Sequence, residues 1–241
     1  MLQMEFSHDK ASEVEKDLLT LYLQLITDIF KEVVFFKGNY TQEEYQQPIK
    51  YDGLVGFSVG VRTNLDGLNY KIEEHINRVY STGLEKFVNH LTEIYKSIFD
   101  NEDTLKDALE NKWCGANYED SITESTRQYT YKLKKEILAS LIRGDSNKQL
   151  KDMITKLVTS FRKQITSILI TETTYVTNQA LLDKGIQEGY TKVMINEILD
   201  SRTCGFCSGK DGDIVPIKDV KVGATIPPFH KNCRGTIEYI K

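Results

Sequence analysis

A single proline, Pro48, stands between the N-terminus and Gly189. Proline breaks or kinks a helix that it falls inside, so its near absence over such a length leaves room for helices of many turns. Apolar residues recur at three-and-four spacing through the same stretch, the mark of amphipathic helices. Val14, Leu18, Leu21, Leu25, Ile29 and Val33 form one stripe, with Ser12 and Glu15 spaced as a capping box at its start and Lys37-Gly38-Asn39 after its end. Ile72, Ile76, Val79, Leu84, Phe87, Leu91, Ile94 and Ile98 form a second, which the acidic cluster Asp100 to Asp103 interrupts. Between them, residues 37–63 carry Gly53, Gly56 and Gly60 and an alternating F-S-V-G-V, which reads as a loop or a short strand. Ser121 with Glu124 forms a further capping box for a helix through Tyr129, Leu133, Ile137 and Leu141, stopped by Gly144-Asp145. Ser146 with Gln149 opens the cleanest run, expected to be a long helix, from Leu150 through Ile154, Val158, Phe161, Ile165 and Leu169 toward Gly185. No strict heptad is sustained there, so the helix is expected to pack within a bundle or along a neighbouring copy of the chain.

Beyond Gly189 the texture changes. T-K-V-M-I-N-E-I-L alternates, glycines and prolines gather, and G-T-I-E-Y-I alternates again at the C-terminus. The expected fold is therefore mainly α, with long amphipathic helices in a bundle-like arrangement and a small C-terminal β unit. Three regions follow from the pattern: a helical region over 1–130, a long-helix part over 131–189 and the β-rich unit over 190–241. A unit of about 50 residues has little apolar material with which to stabilise itself, and a structural metal commonly supplies the difference.

The net charge of −4 over 241 residues points to neither nucleic acid nor an acidic membrane as a partner. That total conceals a polarity: residues 1–50 hold nine acids against five lysines, whereas 132–163 hold nine bases against Glu136, Asp145 and Asp152. The acidic and basic stretches read as solvated helix faces, with the basic one also able to meet DNA phosphates. No apolar run approaches the ~18 residues that a membrane helix needs. The first ten residues lack the basic, apolar and small-residue order of a signal peptide, so a soluble protein of its own compartment is expected. The four cysteines, with Cys114 far from the rest, are not the framework of a secreted disulfide scaffold and fit a reducing cytoplasm.

Three of those cysteines fall near the end, beside the last histidine. Cys204 and Cys207 are separated by two residues, as are His230 and Cys233, and 22 residues lie between the pairs. Each pair can converge from one tight turn, and four N/S donors suit tetrahedral zinc. With all four positions filled by protein, the ion would be structural rather than catalytic. A redox disulfide between Cys204 and Cys207, or buried cysteines with no common role, are the competing readings. A nucleobase deaminase is excluded because no histidine is followed two residues on by glutamate, and a zinc-finger nuclease lacks its second histidine near His230.

The order T-E-T-T-Y-V-T-N-Q-A (Thr171 to Ala180), E-G-Y (Glu188 to Tyr190), D-S-R-T-C-G-F-C, G-K-D-G and P-P-F-H-K-N-C-R resembles the C-terminal domain of the Mu F-like phage head morphogenesis, or minor head, proteins. The likeness covers about residues 138–241. Two positions depart from the family pattern: Ile170 stands where an arginine is usual, and Gly235 where a further cysteine is usual. The resemblance implies a low-copy, non-enzymatic head component of a tailed bacteriophage. Such a component is associated with the portal vertex or capsid interior and acts in head assembly or DNA delivery, with Lys132 to Lys163 facing packaged DNA. It also implies residence in the host cytoplasm during assembly and then in the virion head. Glu172 and Asn178 are expected to serve polar structural roles, Glu172 bonding the zinc unit through Arg202 or Arg234, and Asp200 with Arg202 tying that unit to the long helix. Two other functions stand beside this one. An effector or toxin-like enzyme is disfavoured because residues 1–130 show no phosphate loop or catalytic constellation, and because only eight residues follow Cys233. A zinc-dependent nucleic-acid-binding protein is disfavoured because Lys210, Lys218 and Lys221 are offset by Asp211, Asp213 and Asp219.

Overall fold

Helices dominate the computed structural model, which describes residues 2–39, 49–51, 54–56 and 59–240, with side chains described over 14–39 and 65–240. Their order is α1 (Leu2–Gly38), α2 (Val59–Ile98), α3 (Glu102–Glu110), α4 (Tyr118–Arg143), α5 (Asn147–Gln187) and the single turn α6 (Gly205–Ser208). Strands β1 (Ile49–Tyr51) and β2 (Leu54–Gly56) pair antiparallel between α1 and α2.

Helix starts show which capping signals are used. At α5, Gln149 N–H donates to Ser146 Oγ (3.3 Å) while Ser146 N–H donates to Gln149 Oε1 (2.9 Å), the reciprocal pair that the spacing predicts. At α4 the same device sits upstream of the expected Ser121: Asp120 N–H donates to Asn117 Oδ1 (2.9 Å) and Asn117 N–H to Asp120 Oδ2 (3.4 Å). Glu124, the predicted partner of Ser121, binds Arg127 and Gln128 instead. α1 begins at Leu2, well before Ser12, whose side chain lies outside the described residues. α2 begins at Val59, so Val59-Gly60-Val61 is helical rather than loop or strand, while Phe57 and Ser58 of that motif lie outside the described residues. Alternation over so few residues also fits one helical turn, and continuity with the strong stripe from Leu68 onward decides the outcome. Gly144 (φ 74°) ends α4 with Asp145 N–H returning to Ser140 O, and Gly189 (φ 77°) ends α5 with Tyr190 N–H returning to Gly185 O. Ser146→Ala is expected to lower unfolding free energy by about 1 kcal/mol, read as a reduced midpoint in chemical denaturation with an unchanged slope.

The chain forms two compact units, each assembled from separated segments. One comprises residues 17–83 and 124–163. Its core joins Leu18, Tyr22, Leu25 and Ile29 to Ile72, Ile76, Leu133, Ile137, Ile154 and Val158, all buried. Phe161 stacks on Tyr129 (centroids 4.3 Å apart) and meets Tyr22 edge-on (5.6 Å). The other unit comprises residues 1–16, 84–123 and 164–241. Its core holds Phe87, Leu91, Ile94 and Tyr95 with Ile165, Leu169, Tyr175, Val176 and the buried sheet residues Val193, Ile195 and Ile237.

That sheet has three antiparallel strands in the order β4 (Ile214–Pro216), β3 (Lys192–Asn196), β5 (Thr236–Ile240). Both predicted alternating stretches become strands, pairing in register from Lys192 with Ile240 to Asn196 with Thr236. β4 was not legible, because three residues are too few to establish a period.

Candidate metal centre

Cys204 and Cys207 bracket the start of α6. Cys204 is its N-cap, and its Sγ accepts the N–H of Cys207 at 3.4 Å. The other donors come from the segment after the cis Pro227-Pro228 bond. There Cys233 N–H donates to His230 O (3.1 Å), closing a turn in which Asn232 takes φ 61°, a conformation that asparagine tolerates better than most residues. The two turns bring the donors together: His230 Nε2 lies 3.2 Å from Cys204 Sγ and 3.1 Å from Cys207 Sγ, and Cys207 Sγ lies 3.8 Å from Cys233 Sγ.

These donors fit a zinc ion. Ligands at ~2.3 Å in a tetrahedron place two sulfurs ~3.8 Å apart, the separation seen for Cys207 and Cys233. His230 Nδ1 donates to Lys231 O (2.8 Å), which leaves Nε2 as a lone pair facing the thiols, the arrangement in which a second hydrogen bond fixes the tautomer of a ligating imidazole. All four cysteines are free thiols, and a disulfide sulfur would stand ~2.05 Å from its partner. The local field is already divided. The Cys207 backbone N–H holds the Cys204 thiol down at about 7, whereas burial, reinforced by Cys233, pushes the Cys207 thiol up. A dication would reverse that second shift, because a metal-bound thiol is deprotonated. In such a site Cys204, Cys207, His230 and Cys233 would be the ligands, and the ion would crosslink two turns that are distant in sequence.

Asp200 links the same two turns from outside. Arg234 donates from both Nη atoms to its carboxylate (2.8 and 2.6 Å), and Arg202 N–H donates to Oδ1 (2.8 Å). Arg234 is thus the principal cause that holds the Asp200 carboxyl well below its ordinary range. Asp200 and Arg202 therefore join the approach to Cys204 with the residue after Cys233, and their bonds do not run to the long helix as expected.

The tie to α5 is made by another set. Asn232 N–H donates to Thr171 Oγ1 (3.0 Å), Thr174 Oγ1 to Cys233 O (2.7 Å), and Asn178 Nδ2 to both Pro227 O and Gly235 O (3.0 Å each). Thr171, Thr174 and Asn178 recur at helical spacing and present one polar face to the segment that carries His230 and Cys233. Glu172 points elsewhere. Its Oε2 accepts from Trp113 Nε1 (3.3 Å) rather than from Arg202 or Arg234. Trp113 also stacks on Tyr175 (5.2 Å, 7°), whose hydroxyl accepts from Asn111 Nδ2 (2.6 Å). Gly223, at φ 84°, lies so close to the indole that a Cβ there would overlap it.

Burial raises the Glu172 carboxyl to about 7, opposed by the indole N–H. Because the folded-state value is raised, the stability that comes with the bound proton is present below the unfolded carboxyl's range and is lost as pH climbs through about 7. Glu172→Gln keeps an acceptor for Trp113 and removes the titration. Its stability relative to wild type is expected to increase by up to about 3 kcal/mol between roughly pH 5 and pH 8, measured by denaturant unfolding at each pH with saturating zinc.

Residues 131–238 match the family model described as phage Mu protein F like protein. This stretch belongs to the Mu F-like family. No curated protein and no solved structure matches the chain. The Mu F-like segment begins inside α4, takes in all of α5 and ends in β5, so it includes the four candidate ligands, Asp200, Arg202, Arg234 and the Thr171 to Asn178 face. The likeness over this stretch suggests a phage head morphogenesis protein. Trp113 and Asn111 lie outside the matched segment and yet pack on its helix. Sequence reasoning passed over Trp113, although its being the chain's sole tryptophan was a usable signal. It also passed over Glu197, whose carboxylate closes with Cys207 and Cys233 into a second group of converging donors.

Proposed function

We propose that the chain is a non-enzymatic minor head protein of a tailed bacteriophage, bound to portal or capsid proteins, in which a structural zinc ion stabilises the C-terminal unit. The match of residues 131–238 to the Mu F-like family carries this reading. The site's chemistry supports it: a donor set filled by protein has no open position at which substrate could be activated. The long helices offer extended faces for assembly partners or for a second copy of the chain. No described helix is long and apolar enough to cross a membrane; assembly in the host cytoplasm and residence in the virion head are part of the proposal and rest on the family likeness.

Contact with packaged DNA forms part of the proposal. Within the 132–163 stretch, Lys134 pairs with Glu73 (2.5 Å) and Arg143 with Asp145 (2.7 Å). Lys132, Lys135, Lys148, Lys156 and Lys163 are exposed and would supply the phosphate contacts. The deciding experiment is purification of assembled heads and of portal complexes from infected cells. Stoichiometric recovery of the chain with either supports the proposal, and its exclusion from both overturns it.

A further inference from the structure

Glu197 follows β3 directly and is buried, with 7% of its surface exposed. Its backbone N–H donates to Asp211 Oδ1 (2.9 Å), which fixes the residue at the strand end. Its Oε1 is buried without a hydrogen-bond partner. A carboxylate oxygen, Cys207 Sγ and Cys233 Sγ all lie within 4.8 Å of one another. The same criterion unites Cys204, Cys207 and His230, so Cys207 is common to both groups. Gly235 leaves the carboxylate its space, since a Cβ at that position would overlap the carboxylate atoms. Arg234, the adjacent cation, directs both Nη atoms to Asp200. A buried carboxylate oxygen with no donor is costly, and a dication among the neighbouring sulfurs is the group that would relieve it.

We propose that Glu197 is a further ligand of the metal held by Cys204, Cys207, His230 and Cys233, bonding it through the carboxylate oxygen that faces Cys207 and Cys233. The inference rests on the metal reading above and adds a fifth donor to it. Zinc accepts carboxylate oxygen at ~2.0–2.2 Å; structural zinc is almost always four-coordinate, and a fifth donor here would be an expansion of the kind that catalytic zinc makes.

X-ray absorption at the zinc edge of the full-length, zinc-loaded protein tests the proposal, with cobalt-substituted samples as a second readout. Wild type is expected to show three sulfurs and two lighter donors. Glu197→Ala is expected to lose one light donor and keep all three sulfurs, and its cobalt d–d bands should intensify as five-coordination gives way to four. Glu197→Gln preserves side-chain volume and should show the same change in the cobalt bands. Gly235→Ala, which displaces the carboxylate without altering it, should move the spectrum in the same direction. Zinc bound with an identical shell in wild type and both Glu197 variants overturns the role of Glu197 and leaves the metal reading intact. Wild type that binds no zinc overturns both.

Discussion

Cys207→Ser is expected to abolish zinc retention and to unfold the C-terminal unit, the largest effect of any single change in this chain. Cys207 is buried, shared by both groups of converging donors, and close to both His230 and Cys233. Serine offers a poor ligand for zinc in place of a thiolate, and the apparent free energy of a structural zinc site is on the order of 10 kcal/mol. The three-stranded sheet has a short β4, and only Val193, Ile195, Thr236 and Ile237 among its strand residues are buried. Such a sheet has little with which to offset that loss. Metal analysis combined with limited proteolysis would read the result: wild type should carry one zinc and resist cleavage over residues 190–241. The variant, or wild type treated with chelator, should carry none and be cut there. Equal resistance in all three samples would defeat the structural-zinc proposal.

Signals contained within a few residues were legible in the sequence. The Ser146 and Gln149 capping pair, the glycine stop at 144 and the long stripes all depend on neighbours three or four positions away, and the structure uses each. The convergence of Cys204, Cys207, His230 and Cys233 could also be read, because two short spacings imply two turns. Cross-chain pairing was not legible. Asp200 has Arg202 close in sequence and Arg234 far away, and it takes its strongest bonds from the distant one. Glu172 has no local cue for Trp113, which reaches it from the connection between α3 and α4. Ser121 and Glu124 matched a capping pattern, but Asn117 and Asp120 matched it as well, and the helix starts at the earlier pair. Glu197 was hidden for a different reason: a single carboxylate after a strand carries no spacing, and its place beside Cys207 and Cys233 depends on the room left by Gly235.

Asn178→Ala is expected to cost about 2–6 kcal/mol, since both carbonyls it serves lose a buried donor at about 1–3 kcal/mol each. Asn178 is wholly buried, and its two amide hydrogens reach Pro227 O and Gly235 O, on either side of the segment that carries His230 and Cys233. One side chain thus fixes both ends of that segment against α5. Thr171 and Thr174 hold its middle through Asn232 and Cys233. Asn178→Asp separates the donor's role from that of its shape, because it keeps the volume and places acceptors against two acceptors. At neutral pH it should be at least as unstable as the alanine variant, and it should recover partly in acid, where a protonated carboxyl regains one donor. Denaturant titration at both pH values measures the two effects, and zinc competition measures a third. With the His230 to Cys233 turn freed at both ends, the ion must order that turn itself, so affinity is expected to fall along with stability. A loss below about 1 kcal/mol in both variants, near the ordinary worth of one hydrogen bond, would mean that zinc and the threonines hold the segment without Asn178.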